Sequence, residues 1–233
     1  MLIGLSHLNE WIPKTMASLV KVNSIQESDL NNGVSIDSNL KISGTEIASK
    51  TSGIVNLQNT TINSNVQFPA GHILQVQSKN ETAIRNTTST SFAEIHTDFF
   101  AELTTIGNNS KILVHGTLHL GASDPGVRMG TVMYRSIAGA AYAVTDFRGD
   151  EAENRARAIF GSTPGARSDQ QLNAGFSFVD NPQQNAGIVL RYKPYWFCEH
   201  SSHTIYLNRS SSDGNYFNHP RLVSSIVIME VAQ

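Results

Sequence analysis

The sequence predicts an all-β protein: an antiparallel β-sandwich or jelly-roll head on a slender trimeric β shaft, with a short N-terminal anchoring segment. Three observations support this fold class. Charged residues make up only 15% of the 233-residue chain, and the Asn, Ser, Thr and Gly that replace them favour strands and turns over helices. Residues 21–66 alternate single apolar residues with polar ones, and residues 67–233 carry denser apolar runs between turn signals.

Composition also bounds the function. The net charge of -2 argues against a nucleic-acid surface, which needs clustered Lys and Arg. There is no apolar run near the ~18 residues of a transmembrane helix, so we expect no membrane insertion. The single cysteine, Cys198, excludes a framework of intrachain disulfides.

Residues 1–20 are interpreted as a segment that attaches the protein to a larger assembly. Apolar residues at spacings of three and four form one face of a short helix, and Pro13 marks its end. The predicted docking residues are Leu2, Leu5, Leu8, Trp11 and Ile12. A helix this short is marginal alone, so the segment is either a docking peptide that needs a partner surface or a frayed tail.

Residues 21–66 are too thin to form a core in one chain. Pairs such as Val34 and Ile36, or Leu40 and Ile42, stand alone between turn signals such as Asn32-Gly33. So few large apolar side chains bury too little surface to offset the entropy of ordering. The stretch is either a disordered linker or a shaft whose core is shared among three copies, and the regular alternation favours the shaft.

Residues 67–233 are expected to form the head domain. Nine strand-like runs recur with turns between them, which is typical of an antiparallel sandwich. The runs are residues 72–77, 92–103, 111–120, 128–137, 140–147, 176–180, 187–197, 203–209 and 222–231. Residues 149–162 interrupt the pattern, and their charges and alanines predict a short helix or a long exposed loop.

Two of these runs carry specific predictions. In KILVHGTLHLG, residues 111–121, the residues Ile112, Val114, Leu118 and Leu120 fall on one face, which is expected to be core. His115, Thr117 and His119 fall on the other face, toward solvent or a subunit contact. The continuous IVIMEV, residues 226–231, predicts a strand buried on both faces, one by the sandwich and one by a neighbouring sheet or chain.

Several stretches of the head resemble one protein family. In order along the chain they are FPAGHILQVQSK, TTSTSFAEI, NSKILVHGTLHLG, FVDNP and TIYLNRSSSDGNYFNHPRLVSSIVIMEV. Together they resemble the C-terminal domain of fibre proteins of tailed phages, especially cyanophages. MASLVKVNSIQ, residues 16–26, resembles the start of such fibres, whereas residues 138–175 match no pattern of the family. The resemblance implies a homotrimeric virion fibre, attached through its N-terminal segment to another virion protein, whose β head contacts the host surface.

We expect no enzymatic activity and no cofactor or metal. On a strand, His115 and His119 are roughly 13 Å apart, too far to share an ion within one chain, although three copies could converge on one across a threefold axis. Cys198, His200 and His203 have zinc-like spacing without a fourth ligand. Asp150, Glu151 and Glu153 could serve a polysaccharide-cleaving site, but carboxylates mixed with arginines more often form a solvated face.

Host-surface polysaccharide is the remaining partner to consider, since sugar sites combine an aromatic face with amide and carboxylate groups. Tyr192, Tyr195 and Trp196 are candidates, with Trp196 expected in the core instead. The predicted receptor-contact residues are Tyr216, Asn218 and His219, displayed by a polar loop in which Asp213-Gly214 supplies the turn.

The sequence therefore predicts a non-enzymatic structural protein on the outside of a virion, as a tail, neck or head fibre built as a homotrimer. The alternative is a capsid decoration or cement protein that holds neighbouring subunits. A polysaccharide-cleaving tailspike is the third class, and such spikes usually need a longer β-helix than this chain can form.

Overall fold

The computed structural model of the protein describes residues 68–163 and 169–233. The predicted anchoring segment and shaft, with Leu2, Leu5, Leu8, Trp11 and Ile12, lie outside the described residues. Within the described ranges the regular elements are all strands, which confirms the all-β prediction. No helix in these ranges is long and apolar enough to span a membrane.

The strands, in chain order, are β1 (Ile73–Glu81), β2 (Arg85–Thr87), β3 (Ala93–Glu94), β4 (Ala101–Thr104), β5 (Lys111–Ala122), β6 (Met129–Ile137), β7 (Ala143–Val144), β8 (Phe160–Ser162), β9 (Leu172–Asp180), β10 (Val189–Cys198), β11 (Ile205–Leu207) and β12 (Ser224–Val231).

These strands form two six-stranded antiparallel sheets. In the first sheet, β12 and β11 pair with one edge of β5 and β9 pairs with the other, while β1 borders β12 and β2 borders β11. In the second sheet, β6 pairs with one edge of β10, and β3 and β4 pair with the other. The short β7 and β8 pair with the far edge of β6. The antiparallel sandwich predicted from the sequence is therefore confirmed.

One hydrophobic core lies between the two sheets, and the alternation along β5 shows how the sequence builds it. Ile112, Val114, Leu118 and Leu120 have no exposed surface, whereas His115 on the opposite side is exposed. This face assignment is the one predicted from period-two alternation. Trp196 of β10 is also in the core, at 1% exposure, as expected.

A buried polar cluster joins the sheets at one end of this core. Tyr192 of β10 donates a hydrogen bond to Asp180 Oδ2 of β9 over 2.6 Å, and Arg135 of β6 forms an ion pair with the same carboxylate. Burial raises the pKa of the Tyr192 phenol, and the adjacent Asp180 carboxylate raises it further. The phenol therefore stays protonated and keeps donating across the sandwich.

Several expected elements are different in the structure. The predicted strand 92–103 is divided into β3 and β4, because a turn closed by the Phe99 N–H to His96 O hydrogen bond lies between them. Of the two alternatives for residues 149–162, the long loop is confirmed and the short helix is wrong. This stretch is a loop, held where Gly149 N–H donates to Ala158 O over 3.1 Å, and it ends in β8. The short strands β2 and β8 were not among the predicted runs.

The last strand, β12, is buried on one face only within the described residues. Ile226, Ile228 and Glu230 point inward and have no exposed surface. Val227, Met229 and Val231 on the outer face are half-buried, so the predicted neighbouring sheet does not cover them. The cover by another chain that the sequence predicts stays a prediction.

The outward side of the first sheet carries a row of aliphatic side chains, here called the aliphatic face. Strand register places Val76, Met229, Leu113 and Val179 side by side across four strands. Val76 is 50% and Val179 47% exposed, and the other two are half-buried. Two further rows lie on the same outward side, toward the C-terminal end of β1. They consist of Ser78, Val227, His115 and Ser177, and then of Asn80, Ser225, Thr117 and Gly175. These three rows contain no Asp, Glu, Lys or Arg.

The outward side of the second sheet, here called the aromatic face, is covered by the chain's own loops. Lys193 of β10 is only 5% exposed. Its Nζ lies 4.7 Å from the Tyr142 ring centre and 5.6 Å from that of Phe100, and it donates to Glu94 Oε2 over 2.8 Å and to Thr97 O over 2.9 Å. Thr97 and Phe100 come from the turn before β4, Tyr142 comes from the turn before β7, and Glu94 comes from β3.

Candidate functional site

The loop between β11 and β12 contains the predicted receptor-contact residues, and a buried asparagine closes its base. Asn208 adopts φ 64° and has no exposed surface, a left-handed backbone that Asn tolerates better than most residues. Its Nδ2 donates to Glu81 O over 2.7 Å and to Ala83 O over 3.0 Å, and its Oδ1 accepts from Ser224 Oγ over 2.7 Å. The residue at which the loop begins is thus bonded to the first residue of β12.

Charged groups stabilise the lower half of the loop. Asp213 accepts from Arg209 Nη1 at 2.5 Å and forms a second ion pair with Arg221. The Arg209 guanidinium lies 4.2 Å from the Tyr206 ring centre, and it also donates to the carbonyl groups of Ser210 and Ser211. One carboxylate thus joins the two arms of the loop, while the arginine fixes one arm to the sheet.

The tip of the loop exposes aromatic surface. Tyr216 is 71% exposed and Phe217 is fully exposed, at 106%. Asn218 is exposed and His219 is half-buried. The Tyr216 and His219 rings meet edge to face, with centroids 5.4 Å apart. The loop therefore displays the predicted Tyr216 and Asn218, with His219 supporting Tyr216 from behind.

Two details of the tip differ from the sequence prediction. The hydrogen-bonded turns follow Asp213 instead of including it: Tyr216 N–H donates to Gly214 O over 2.8 Å, and His219 N–H donates to Tyr216 O over 3.0 Å. Gly214 also makes room for a ring: a Cβ there would lie 2.7 Å from the Tyr216 ring, so a larger residue would displace that ring from the backbone. Phe217, the most exposed large apolar side chain described, was missed, although its place between Tyr216 and Asn218 in a polar loop was a signal for it.

The other candidate residues lie in ordinary surroundings. Burial raises the pKa of the Cys198 thiol, which donates to the carbonyls of His200 and His203 instead of facing their rings. His203 Nδ1 lies 2.9 Å from Asp124 Oδ2. Within residues 68–163 and 169–233, no group of three or more His, Cys, Asp or Glu side chains is arranged to hold a metal ion.

The structure also shows the surroundings of the residues considered for catalysis and for sugar contact. Asp150, Glu151 and Glu153 are exposed in the loop before β8. Tyr192 is buried on Asp180, and Tyr195 stacks on Tyr134 with centroids 3.9 Å apart in the aromatic face. None of these aromatic rings is presented to solvent as Tyr216 and Phe217 are.

Comparison with known proteins gives no family for the chain. No family model matches it and no curated protein matches it. Among solved structures it is similar to T=1 particles derived from infectious bursal virus, with TM-score 0.39, 12% identity, and coverage of 76% of this chain and 41% of that one. It is also similar to the VP2 subviral particle of infectious bursal disease virus, with TM-score 0.34, 12% identity, and coverage of 68% and 38%. The chain thus spans about two fifths of those proteins, and a likeness at this level does not define a shared function.

Proposed function

We propose that the protein is a structural component of a virion: a homotrimeric fibre that projects its β-sandwich head for attachment to a host surface. The observation that carries the proposal is the loop between β11 and β12, whose base is bonded to the sheets through Asn208 and whose tip exposes Tyr216 and Phe217. Exposed aromatic side chains on a fixed base bind with little loss of conformational entropy. The proposed location on a virion and the proposed contact with a host are inferred from the resemblance to phage fibres.

The aliphatic face supports self-association. Half-exposed aliphatic side chains on neighbouring strands gain stability when another surface removes them from water. The three rows that include this face carry no Asp, Glu, Lys or Arg, so copies meeting there bring no like charges together. In a trimer, three weak contacts on one head act together, and their avidity exceeds the affinity of each contact. Leu2, Leu5, Leu8, Trp11 and Ile12 would dock the fibre on another virion protein.

The attachment role is tested by binding labelled protein to a panel of cyanobacterial cells. Phe217→Ser and Tyr216→Ser should together weaken binding by about tenfold or more, since exposed aromatic anchors dominate such contacts. Ile106→Ser is the matched control, because Ile106 is 59% exposed on a different loop and should bind normally. Equal binding by all variants would overturn the attachment role for this loop.

The virion role is tested separately by imaging purified particles that carry a label on this chain. A knob on a stalk supports a fibre, and particles that keep the label after deletion of residues 1–15 would refute docking through the N-terminal segment. A flat cap between capsomers would instead support a decoration protein, which the half-exposed aliphatic face also fits. Shortened chains after incubation with host polysaccharide would contradict the proposed absence of enzymatic activity and favour a tailspike.

A further inference from the structure

A hollow on the head lies where β8 borders β6, distant in sequence from the loop between β11 and β12. It is a pocket of about 550 Å³ whose lining includes Arg128, Arg155, Ser162, Thr163 and Phe197. That volume is within the range of small-molecule sites, about 300–1,000 Å³. None of its described lining residues is acidic.

Two glycines, which have no side chains, leave the space for this hollow. Phe197 of β10 pairs with Gly130 of β6, and Gly130 pairs with Gly161 of β8, so one row across the sheet reads Phe, Gly, Gly. The Phe197 ring occupies the space above Gly130, where a Cβ would lie 2.3 Å from its Cε1. The Phe92 ring holds it edge on, with centroids 5.0 Å apart. At Gly161, by contrast, a Cβ would meet nothing nearer than Met129 O at 3.7 Å.

Arg155 gives the pocket its uncompensated positive charge, because Arg128 is already paired with a carboxylate. Arg128 is held by Glu199, whose Oε1 accepts from the Arg128 backbone N–H over 2.8 Å and whose Oε2 accepts from Nη1 over 3.0 Å. Arg155 takes part in hydrogen bonds among the described residues only through its backbone N–H, which donates to Ala152 O over 3.0 Å. Its exposed guanidinium is therefore available to a ligand, since no described carboxylate neutralises it.

We propose that this pocket binds an acidic sugar unit, such as a uronic acid residue of a polysaccharide. A pyranose ring has a face of C–H groups that packs on an aromatic ring such as Phe197. Guanidinium groups bind carboxylates through paired, charge-assisted hydrogen bonds. The hydroxyls of Ser162 and Thr163, which also line the pocket, can exchange hydrogen bonds with the hydroxyls of a sugar. This site is separate from the loop between β11 and β12, so the inference goes beyond attachment through Tyr216 and Phe217.

The test is calorimetric titration of the full-length protein with the linear trimer of galacturonic acid. The galactose trimer is the neutral control, because it has the same ring without the carboxylate. We expect the acidic trimer to bind, the neutral one to bind at least about tenfold more weakly, and added salt to weaken binding through charge screening. Absence of binding, or equal binding of both sugars, would overturn the proposal.

Variants locate the site. Arg155→Gln should weaken binding of the acidic trimer by about tenfold, as expected for one charge-assisted contact. Gly161→Val should abolish binding, because it fills the hollow where the backbone has room for a side chain. Lys79→Gln, which removes a positive charge from β1, is the control and should bind normally. Unchanged affinity in the Gly161 variant, with an unchanged unfolding temperature, would place the sugar elsewhere and refute the proposal.

A nucleotide offers the third check, because it also combines a ring with an anionic group. Tighter binding of adenosine monophosphate than of the galacturonic acid trimer would show that the ligand class is wrong. None of these outcomes depends on where the protein lies on a particle, so failure here leaves the virion role to its own test.

Discussion

The two outward faces of the sandwich are both built from antiparallel strands, but they differ in how far the rest of the chain covers them. On the aromatic face, the turns before β4 and β7 fold back, and Phe100, Tyr142 and Glu94 surround the ammonium of Lys193. On the aliphatic face, Val76 and Val179 remain about half exposed. The chain therefore supplies a cover for one face from its own loops and supplies none, within its described residues, for the other.

The difference teaches where a partner is expected. A face that the chain covers itself contributes to the stability of one subunit. A half-exposed aliphatic row free of charged residues contributes its full hydrophobic stabilisation only when a second surface removes it from water. Substitutions on the two faces should therefore have separable effects: assembly should change on one and folding stability on the other.

The largest expected effect is on assembly. Met229→Asp places a charge in the aliphatic face and should reduce the mass in solution from that of a trimer to the 25.4 kDa of one chain, because an unpaired charge is costly to bury. Light scattering measures the mass. Val223→Asp, at a side chain 49% exposed just before β12, is the control and should leave the trimer intact. A wild-type mass of one chain, or an unchanged mass for Met229→Asp, would contradict self-association through this face.

The next effect is on stability. Lys193→Met should lower the free energy of unfolding by about 1–3 kcal/mol, since it leaves Glu94 and Thr97 O without their donor. Arg191→Met is the matched control on the same face. Its ion pair with Glu102 is about 40% exposed on both sides, so the loss should be under about 1 kcal/mol. Denaturant unfolding measures both, and equal losses would show that the covering loops do not depend on the buried ammonium.

The smallest effect is on pH dependence. Burial lowers the pKa of His119, on the outward side of the first sheet, below its ordinary value of 6.5. The unfolded chain then binds more protons than the folded one as the pH falls below 6.5, so the free energy of unfolding falls with it. His119→Gln should make unfolding curves between neutral and mildly acidic pH less pH-dependent. A slope equal to that of the wild type would show that His119 does not contribute.

Local pattern was sufficient for part of this architecture. Alternation along β5 identified its core face, and the size of Trp196 in an apolar run placed it in the core. Both features depend on one strand at a time, for which period-two patterning carries the information. The exposure of Tyr216 and Asn218 followed in the same way from a polar loop around Gly214.

Long-range partners were not predictable in this way. Glu230, in the predicted apolar run IVIMEV, has no exposed surface because its carboxylate accepts from the N–H groups of Ile106 and Gly107 and from Gln75 Nε2. These donors are more than 120 residues away, so no local pattern indicates them. The two-residue β3 and β7 exist because β10 and β6 offer free edges, and the pocket beside Phe197 depends on glycines from two strands.

The clamp formed by Asn208 and Ser224 has a consequence for how the protein can change. Because the loop ends are bonded to each other and to the backbone at Glu81 and Ala83, the residues from Gly214 to Asn218, which lie beyond the ion pairs of Asp213, contribute little to the sheets. The tip residues can therefore be replaced without loss of the bonds that hold the loop to the sheets. A different peptide could be inserted there, by natural variation or by design, and the head would keep its fold while it acquired a new specificity.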